Sequence, residues 1–143
     1  MIDVSDPTNC VLVGGIVSGL AQGVAVSGNY AYVADDFAGL QVINVSNLTN
    51  CVGVGGYDTS GSARGVAVSG NNADVADGWA GLRVIDVTDP ANCVHVGGYD
   101  TSGYAVGVAV SGNYAYVVDT TAGSAILILA RSAGFIPLHG PAP

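Results

Sequence analysis

The sequence contains no lysine, and its only cations are Arg64, Arg83 and Arg131. They are opposed by 11 acidic residues, which gives a formal net charge of −8. Nucleic acid is therefore not expected as a partner, because phosphate binding requires clustered lysine and arginine side chains. The same shortage disfavours an anionic membrane surface. Calcium, sugars and a basic protein surface stay compatible with this charge.

Long apolar runs and helical patterns are also missing. Half of the 143 residues are hydrophobic, yet no apolar stretch approaches the roughly 18 residues that a membrane-spanning helix needs, so no membrane insertion is expected. No window combines helical apolar spacing with a capping residue, which predicts almost no helix. The first residues, MIDVSDP, show no secretion signal and already match the middle of a repeat. We therefore expect a mature fragment or a piece of a longer array.

What the sequence does contain is a repeat. The segment GVAVSGN begins at Gly23, Gly65 and Gly107, so successive copies start 42 residues apart. A period between roughly 20 and 50 residues is typical of solenoids and propellers, in which each unit buries its apolar face against its neighbours. The 22 glycines separate short runs rich in valine and tyrosine, which is the pattern of turns between strands.

Each full unit offers four short strands, here designated A to D. In the first unit they are predicted at 24–26, 30–34, 40–45 and 51–56, where β-branched residues favour strand over helix. The chain divides into a half repeat with strands C and D, two full repeats, a partial repeat, and a degenerate strand or tail. The boundaries are 1–22, 23–64, 65–106, 107–131 and 132–143. Within the tail, 135–138 could form an edge strand only, because Pro137 removes a hydrogen-bond donor.

Several segments resemble the LVIVD repeat family. They are GLQVINVS from Gly39, GLRVIDVTDP from Gly81, VAVSGNYAYVAD from Val24 and GGYDT from Gly55. The similarity extends from Ile2 to about residue 129. It implies a β-propeller with four-stranded blades, of the kind found in secreted or surface-attached bacterial and archaeal proteins that generally have no assigned activity.

Two features of the repeats depart from that family. In the half repeat and in both full repeats, cysteine occupies an equivalent position before strand D, at Cys10, Cys51 and Cys93, where the family commonly has proline. Asp74 replaces the second tyrosine of the YAY strand.

The predicted fold is therefore all-β, with tandem four-stranded units arranged as a partial ring that resembles a β-propeller. Open stacking into a solenoid or fibre is the alternative. Three and a half units cannot close a ring alone, because propellers typically have about four to eight blades. Another copy of the chain could complete the ring, units could stack into a fibre, or further sequence could close it. Since open ends leave strand edges and apolar faces unpaired, self-association is favoured over an isolated monomer.

The cysteines and the recurrent aspartates each have two interpretations. Equivalent positions in neighbouring blades are normally too far apart for a disulfide. Cys10, Cys51 and Cys93 are therefore favoured as small, buried or half-buried apolar residues. Inter-chain disulfides, or pairing between units in a tightly stacked fibre, are the alternatives. Asp35, Asp77 and Asp119 recur at the end of strand B. They are expected to cap the following turn, and a calcium site is the weaker hypothesis. No cofactor is predicted.

The loops offer the best recognition hypothesis, since the B–C and D–A connections of such blades share one face. This face would present Asp36, Phe37, Asp58, Trp79, Asp100 and Tyr104, with Arg64 nearby. Aromatic plates beside carboxylates suit a glycan or a peptide. Alternatively, Phe37 and Trp79 fold back to cover a blade edge.

Modification and catalysis leave weaker signals. Asn44 and Asn47 each begin a glycosylation sequon, and Asn47 is the more accessible candidate. His95 and His139 have no partner for a triad or a metal site, so no enzyme is expected. The sequence thus favours a structural or adhesive extracellular or cell-surface module that binds itself. A glycan-binding or peptide-binding propeller, or a propeller fragment of a larger surface protein or enzyme, are the alternatives.

Overall fold

The computed structural model describes residues 1–16 and 18–120, together with the backbone of the strand Ala125–Ala130. This part of the chain forms 13 strands and no helix, so it contains no helix that could span a membrane. The predicted all-β class is confirmed. The tail 132–143, with its candidate strand at 135–138, lies outside the described residues.

The strands form four antiparallel sheets in chain order. The first is a pair, β1 (Ile2–Asp3) and β2 (Val11–Leu12). Blade 1 consists of β3 (Gly23–Ser27), β4 (Tyr30–Ala34), β5 (Leu40–Asn44) and β6 (Val52–Tyr57). Blade 2 consists of β7 (Gly65–Ser69), β8 (Asn72–Ala76), β9 (Leu82–Asp86) and β10 (Val94–Tyr99). Blade 3 consists of β11 (Ala105–Ser111), β12 (Tyr114–Asp119) and β13 (Ala125–Ala130).

The A–B hairpins explain why the segment GVAVSGN recurs. In blade 1, Ser27 pairs with Tyr30 across the turn, and Gly28 between them has φ of 58°. The same φ occurs at Gly70 and Gly112 in the next two units. Glycine adopts a positive φ without steric cost and is therefore the residue that such tight turns favour.

The innermost strands of the blades approach each other at glycine. A Cβ atom added to Gly23 would lie 3.2 Å from the Cα atom of Gly65, and one added to Gly65 would lie 3.1 Å from the Cα atom of Gly107. The first glycine of each GVAVSGN segment thus lets consecutive blades meet at their inner ends.

The outermost strands make a second close contact. A Cβ atom added to Gly55 on β6 would lie 1.8 Å from the carbonyl oxygen of Pro90, in the C–D connection of blade 2. Gly14 has the same relation to Leu48, one unit earlier. The backbone of β6 and that of the segment after β2 therefore pack against the C–D connection of the following blade.

The hydrophobic core lies between the blades. Tyr32, Leu40 and Val42 of blade 1 pack against Val66 and Val75 of blade 2. The opposite side of blade 2 packs on blade 3 through a second cluster. That cluster contains Ala76, Leu82, Val84, Ala105, Ala115 and Val117. Because side chains alternate across a strand, each inner blade buries apolar residues on both sides, as the repeat pattern predicts.

Candidate functional site

The loop face carries a cleft with a volume of about 380 Å³. It is lined by Phe37, Ser60, Gly61, Ser62, Arg64, Trp79, Ala80 and Tyr104. The B–C connection of blade 1 supplies Phe37 and that of blade 2 supplies Trp79. The two successive D–A connections supply Arg64 and Tyr104. The two full repeats, 23–64 and 65–106, therefore both contribute to one cleft.

Backbone bridges between the B–C and D–A connections hold the cleft in place. Asp36 and Ala63 exchange two hydrogen bonds of 3.0 Å, and Gly78 and Ala105 do the same one unit later. Each bridge joins a B–C connection to the D–A connection that follows it. The aromatic side chains beside these bridges are consequently carried on a paired backbone.

Arg64 and Tyr104 form the polar centre of the cleft. The Nε–H group of Arg64 donates to the hydroxyl of Tyr104 at 3.0 Å, and the guanidinium carbon lies 5.4 Å from the centre of that ring. The Asp36 carboxylate is 4.0 Å from Arg64 Nε and also accepts a hydrogen bond from the Ser62 hydroxyl. Arg64 is thus neutralised by Asp36 and stacked on an aromatic ring.

Phe37 and Trp79 stay largely in solvent. The Trp79 ring meets the Tyr104 ring edge-on, with centroids 5.0 Å apart and an angle of 75°. Even so, Trp79 is 73% exposed and Phe37 is 76% exposed. Neither side chain folds back to cover a blade edge, so both leave planar apolar surface at the cleft.

The structure does not gather all of the predicted loop residues at the cleft. Phe37, Trp79 and Tyr104 line it, and Asp36 lies beneath it as the partner of Arg64. Asp58 and Asp100 instead accept hydrogen bonds from the backbone N–H groups two residues later, at 3.0 Å and 2.9 Å. These two carboxylates shape the YDTSG loops rather than line the cleft.

Sequence reasoning missed the two hydroxyls of the cleft, Ser60 and Ser62. Their neighbour Arg64 was noticed, and the repeat alignment places Ser62 at the position of Tyr104. The equivalence of Ser62 with Tyr104 is the sequence signal that points to this side of the cleft.

The recurrent aspartates connect units rather than cap their own turns. Asp77 accepts a hydrogen bond of 2.5 Å from the Thr59 hydroxyl of the preceding D–A connection, and its Oδ2 lies 3.9 Å from Arg83 Nε. Asp35 accepts from the backbone of Gly19 and Leu20 in the same way. The expectation that these side chains cap the following turn is therefore wrong for Asp35 and Asp77. Their side chains bond to the previous unit because its D–A connection passes directly over the end of strand B.

Burial gives Asp77 an unusual protonation equilibrium. Desolvation raises the pKa of Asp77 from 3.8 to about 6, against the opposing effects of the Thr59 hydrogen bond and the Arg83 charge. Asp35 and Asp119 are also buried. No three His, Cys, Asp or Glu side chains cluster as a metal site among the described residues, and the calcium hypothesis for these aspartates gains no geometric support.

The three cysteines are free thiols that close the C–D connections. Cys93 Sγ lies 3.3 Å from the carbonyl oxygen of Pro90. Cys51 and Cys10 contact the carbonyl oxygens three and four residues before them, at 3.6 to 4.0 Å. Burial raises the pKa of the Cys93 thiol, whereas Cys10 is exposed.

The two sequon asparagines shape the same connection in blade 1. Asn44 Oδ1 accepts from the backbone and the hydroxyl of Ser46, and Asn47 Oδ1 accepts likewise from Thr49. Aspartates take these places in the other units, for example Asp86 with Thr88. A turn of this kind explains why both positions carry Asn or Asp. Asn44 is half-buried and Asn47 is exposed.

The two ends of the array expose different apolar faces. We call the first the leading face; it lies on blade 1, where Val24 and Val26 are 64% and 66% exposed beside the buried side chains of Ala31 and Val33. The second is the trailing face, formed by Tyr114, Tyr116 and Val118 on blade 3. Between β1–β2 and the leading face lies a groove of about 800 Å³ lined mainly by apolar residues such as Ile2, Val13 and Val45.

Comparisons with known proteins agree with this geometry. A crystal structure of the computationally designed Ika8 protein superposes with a TM-score of 0.59 at 10% sequence identity. The alignment covers 78% of this chain and 33% of the designed chain, so this chain spans about a third of that protein's length. Similarity at this identity supports the fold alone. Comparison with curated protein sequences found no match.

A family comparison is more specific. The sequence pattern of the LVIVD repeat matches residues 1–16, 18–59, 60–101 and 102–127, which is most of the chain. Each match contains strands of the sheets described above. The chain therefore belongs to the LVIVD repeat family.

Proposed function

We propose that this chain is a structural or adhesive module of an extracellular or cell-surface assembly, in which it associates with further copies of itself. The observation that carries the proposal is the complementarity of its two open faces. Each face is one half of the interface that already joins the blades within the chain. The extracellular location is supported by the resemblance to surface-attached members of the family.

Along its innermost strand, β3, the leading face is an uncovered copy of a buried surface. Val24 on blade 1 and Val66 on blade 2 occupy equivalent positions on their innermost strands. Val66 is 8% exposed because blade 1 covers it, whereas Val24 is 64% exposed. Covering an apolar side chain of this size is worth about 1.5–3 kcal/mol, so this face favours a partner that resembles a blade.

The trailing face supplies the other half of that contact. Within the chain, Tyr32 on β4 packs against blade 2 and is 5% exposed. Its equivalent on β12, Tyr116, is 37% exposed. A second copy that places its leading face here would repeat the contact between blades 1 and 2.

Because the two faces differ, the association is head-to-tail. Contacts of this type close into a ring when the rotation per copy permits and otherwise extend into a fibre. The groove beside β1–β2 lies where strands A and B of the first unit would be, and β11–β12 of another copy are strands of that type. Both β1 of one copy and β13 of the other correspond to strand C. A four-stranded blade built from the two copies therefore has room for only one of these two strands.

Size-exclusion chromatography with light scattering tests the proposal, with and without reductant. We expect oligomers at micromolar concentration in both conditions. Val24→Asp should yield a folded monomer, because a carboxylate cannot be buried unpaired in an apolar interface. Val96→Asp, on the outer strand of blade 2, is the matched control and should still assemble. A folded wild-type monomer in both conditions would contradict self-association.

A second candidate function is ligand binding on the loop face, to a glycan or a peptide. It is favoured by the exposed side chains of Phe37 and Trp79 around one cleft. On a glycan and peptide array, exchanging both for alanine should abolish the signal of the wild-type protein and leave its assembly unchanged. Retained binding would exclude the cleft as the site. The absence of enzymatic activity stays a prediction. The alternative, that the chain is the propeller part of a larger surface protein or enzyme, also stays a prediction.

A further inference from the structure

We infer that the cleft between Phe37 and Trp79 binds an uncharged oligosaccharide. This inference rests on the second candidate function, ligand binding by the loop face, and specifies the class of ligand. It is independent of self-association, which uses the leading and trailing faces.

The aromatic side chains provide stacking surfaces. Phe37 and Trp79 come from equivalent turns of adjacent blades and keep about three quarters of their surface in solvent. Exposed aromatic faces on a paired backbone lose little conformational freedom when a ligand stacks on them. A pyranose ring has a flat face of C–H groups, and an exposed aromatic ring can stack on that face.

Polar groups between the aromatic rings match the hydroxyl groups of a sugar. Ser60 contributes an exposed hydroxyl to the lining, whereas the Ser62 hydroxyl donates to Asp36 and offers a ligand only its oxygen as an acceptor. Arg64 uses Nε–H for Tyr104, and its Nη1 reaches Gln22 only at 3.5 Å. A guanidinium has five N–H donors, so Arg64 retains donors for oxygen acceptors on a ligand.

The charge at the cleft disfavours ionic ligands. Asp36 lies 4.0 Å from Arg64 and offsets its positive charge. The whole chain carries a net charge of −8, which repels an anion. A cation would have to compete with Arg64 for Asp36. An uncharged ligand avoids both costs.

The backbone around the cleft leaves little for an extended peptide to pair with. The N–H and C=O groups of Asp36 and Ala63 bond to each other, as do those of Gly78 and Ala105. Peptides that bind as an added strand require such groups unpaired. A ligand strand therefore cannot pair with these four residues, and recognition beside them by side chains suits a saccharide. The volume of about 380 Å³ is near the lower end of ligand sites, as expected for a few sugar rings of a longer chain.

The single tryptophan provides a direct test, because Trp79 is the only one in the chain. Tryptophan fluorescence of the full chain is followed during titration with neutral oligosaccharides of glucose, mannose and N-acetylglucosamine, and with a proline-rich peptide. We expect a saturable change with at least one oligosaccharide. Phe37→Ala and Phe37→Leu should each weaken binding by roughly tenfold, since leucine is apolar but not planar.

Control variants separate this inference from the other proposals. Val96→Ala, at an exposed apolar position outside the cleft, should bind like the wild type. Val24→Asp should lose assembly and keep saccharide binding. A saturable change with the peptide alone would overturn the saccharide inference while leaving ligand binding in place. No change with any probe, or affinity unaltered by Phe37→Ala, would overturn it as well.

Discussion

At the scale of single residues, the recurrence of Asp77 can be read from the sequence, but the contact that its side chain makes cannot. Its recurrence every 42 residues is visible in the sequence. Its hydrogen-bond partner, Thr59, belongs to the preceding unit, and no spacing rule within one unit points to it. Sequence reasoning therefore found the residue and assigned it to the wrong contact.

The raised pKa of Asp77 predicts a pH-dependent stability. Its pKa is about 6 in the folded protein and 3.8 ordinarily, so the folded state binds the proton more tightly. The contribution of Asp77 to the free energy of unfolding then falls as pH rises between these values. Lowering the pH from 7 to 5 should increase that contribution by about 1 kcal/mol.

Urea unfolding of the wild type and of Asp77→Asn at both pH values measures this difference. The variant retains an oxygen acceptor for Thr59 and loses the titration. Asp3, Asp6 and Asp86 have lowered pKa values because of hydrogen bonds from nearby Ser and Thr residues, so they stay charged across this range. An equal response of both proteins to pH would contradict the prediction.

At the scale of strands, prediction from sequence was most successful. Turn glycines and β-branched runs placed the strands of blade 1 within a residue or so of β3 to β6. The bulges were not foreseen. One interrupts the pairing of β5 with β6 between Val42 and Ile43, and another lies on β10 between His95 and Gly97. Register shifts depend on the partner strand, which a local pattern does not contain.

Two glycines on β6 make a matched test of the packing between outer strands. A Cβ atom at Gly55 would lie 1.8 Å from the Pro90 carbonyl oxygen, whereas one at Gly53 would meet nothing within 4 Å. Gly55→Ala should therefore lower the free energy of unfolding by about 1–3 kcal/mol. Gly53→Ala should leave it unchanged or raise it by about 0.5–1 kcal/mol. Thermal or urea denaturation checks both, and equal effects would show that blade 2 does not hold this strand.

At the scale of the whole molecule, the repeat predicted tandem blades, which are present. The half repeat predicted at 1–22 contains the two-stranded sheet β1–β2. The cleft was only partly foreseen, because its lining comes from two repeats that meet after the blades pack. Phe37 and Trp79 stood out since they vary at an otherwise regular position. Ser60 and Ser62 did not, because small polar residues are ordinary in loops.

Head-to-tail association predicts a distinctive result when two variants are mixed. Val24→Asp blocks the leading face and Tyr116→Asp blocks the trailing face, so each alone should be monomeric. An equimolar mixture should form a heterodimer, because the intact trailing face of one variant can bind the intact leading face of the other. Growth should stop there, because both faces left open on the heterodimer carry a substitution. Light scattering of the mixture checks this. Assembly of either variant alone would indicate a symmetric contact between like faces instead.

The glycines at the inner ends of β3, β7 and β11 have an evolutionary consequence. Because Gly23 approaches Gly65 in the same way as Gly65 approaches Gly107, a duplicated or deleted stretch of gene that spans one whole unit would recreate an existing junction. Recombination between the repeated coding segments would then lengthen or shorten such a protein in single steps, with no new type of interface.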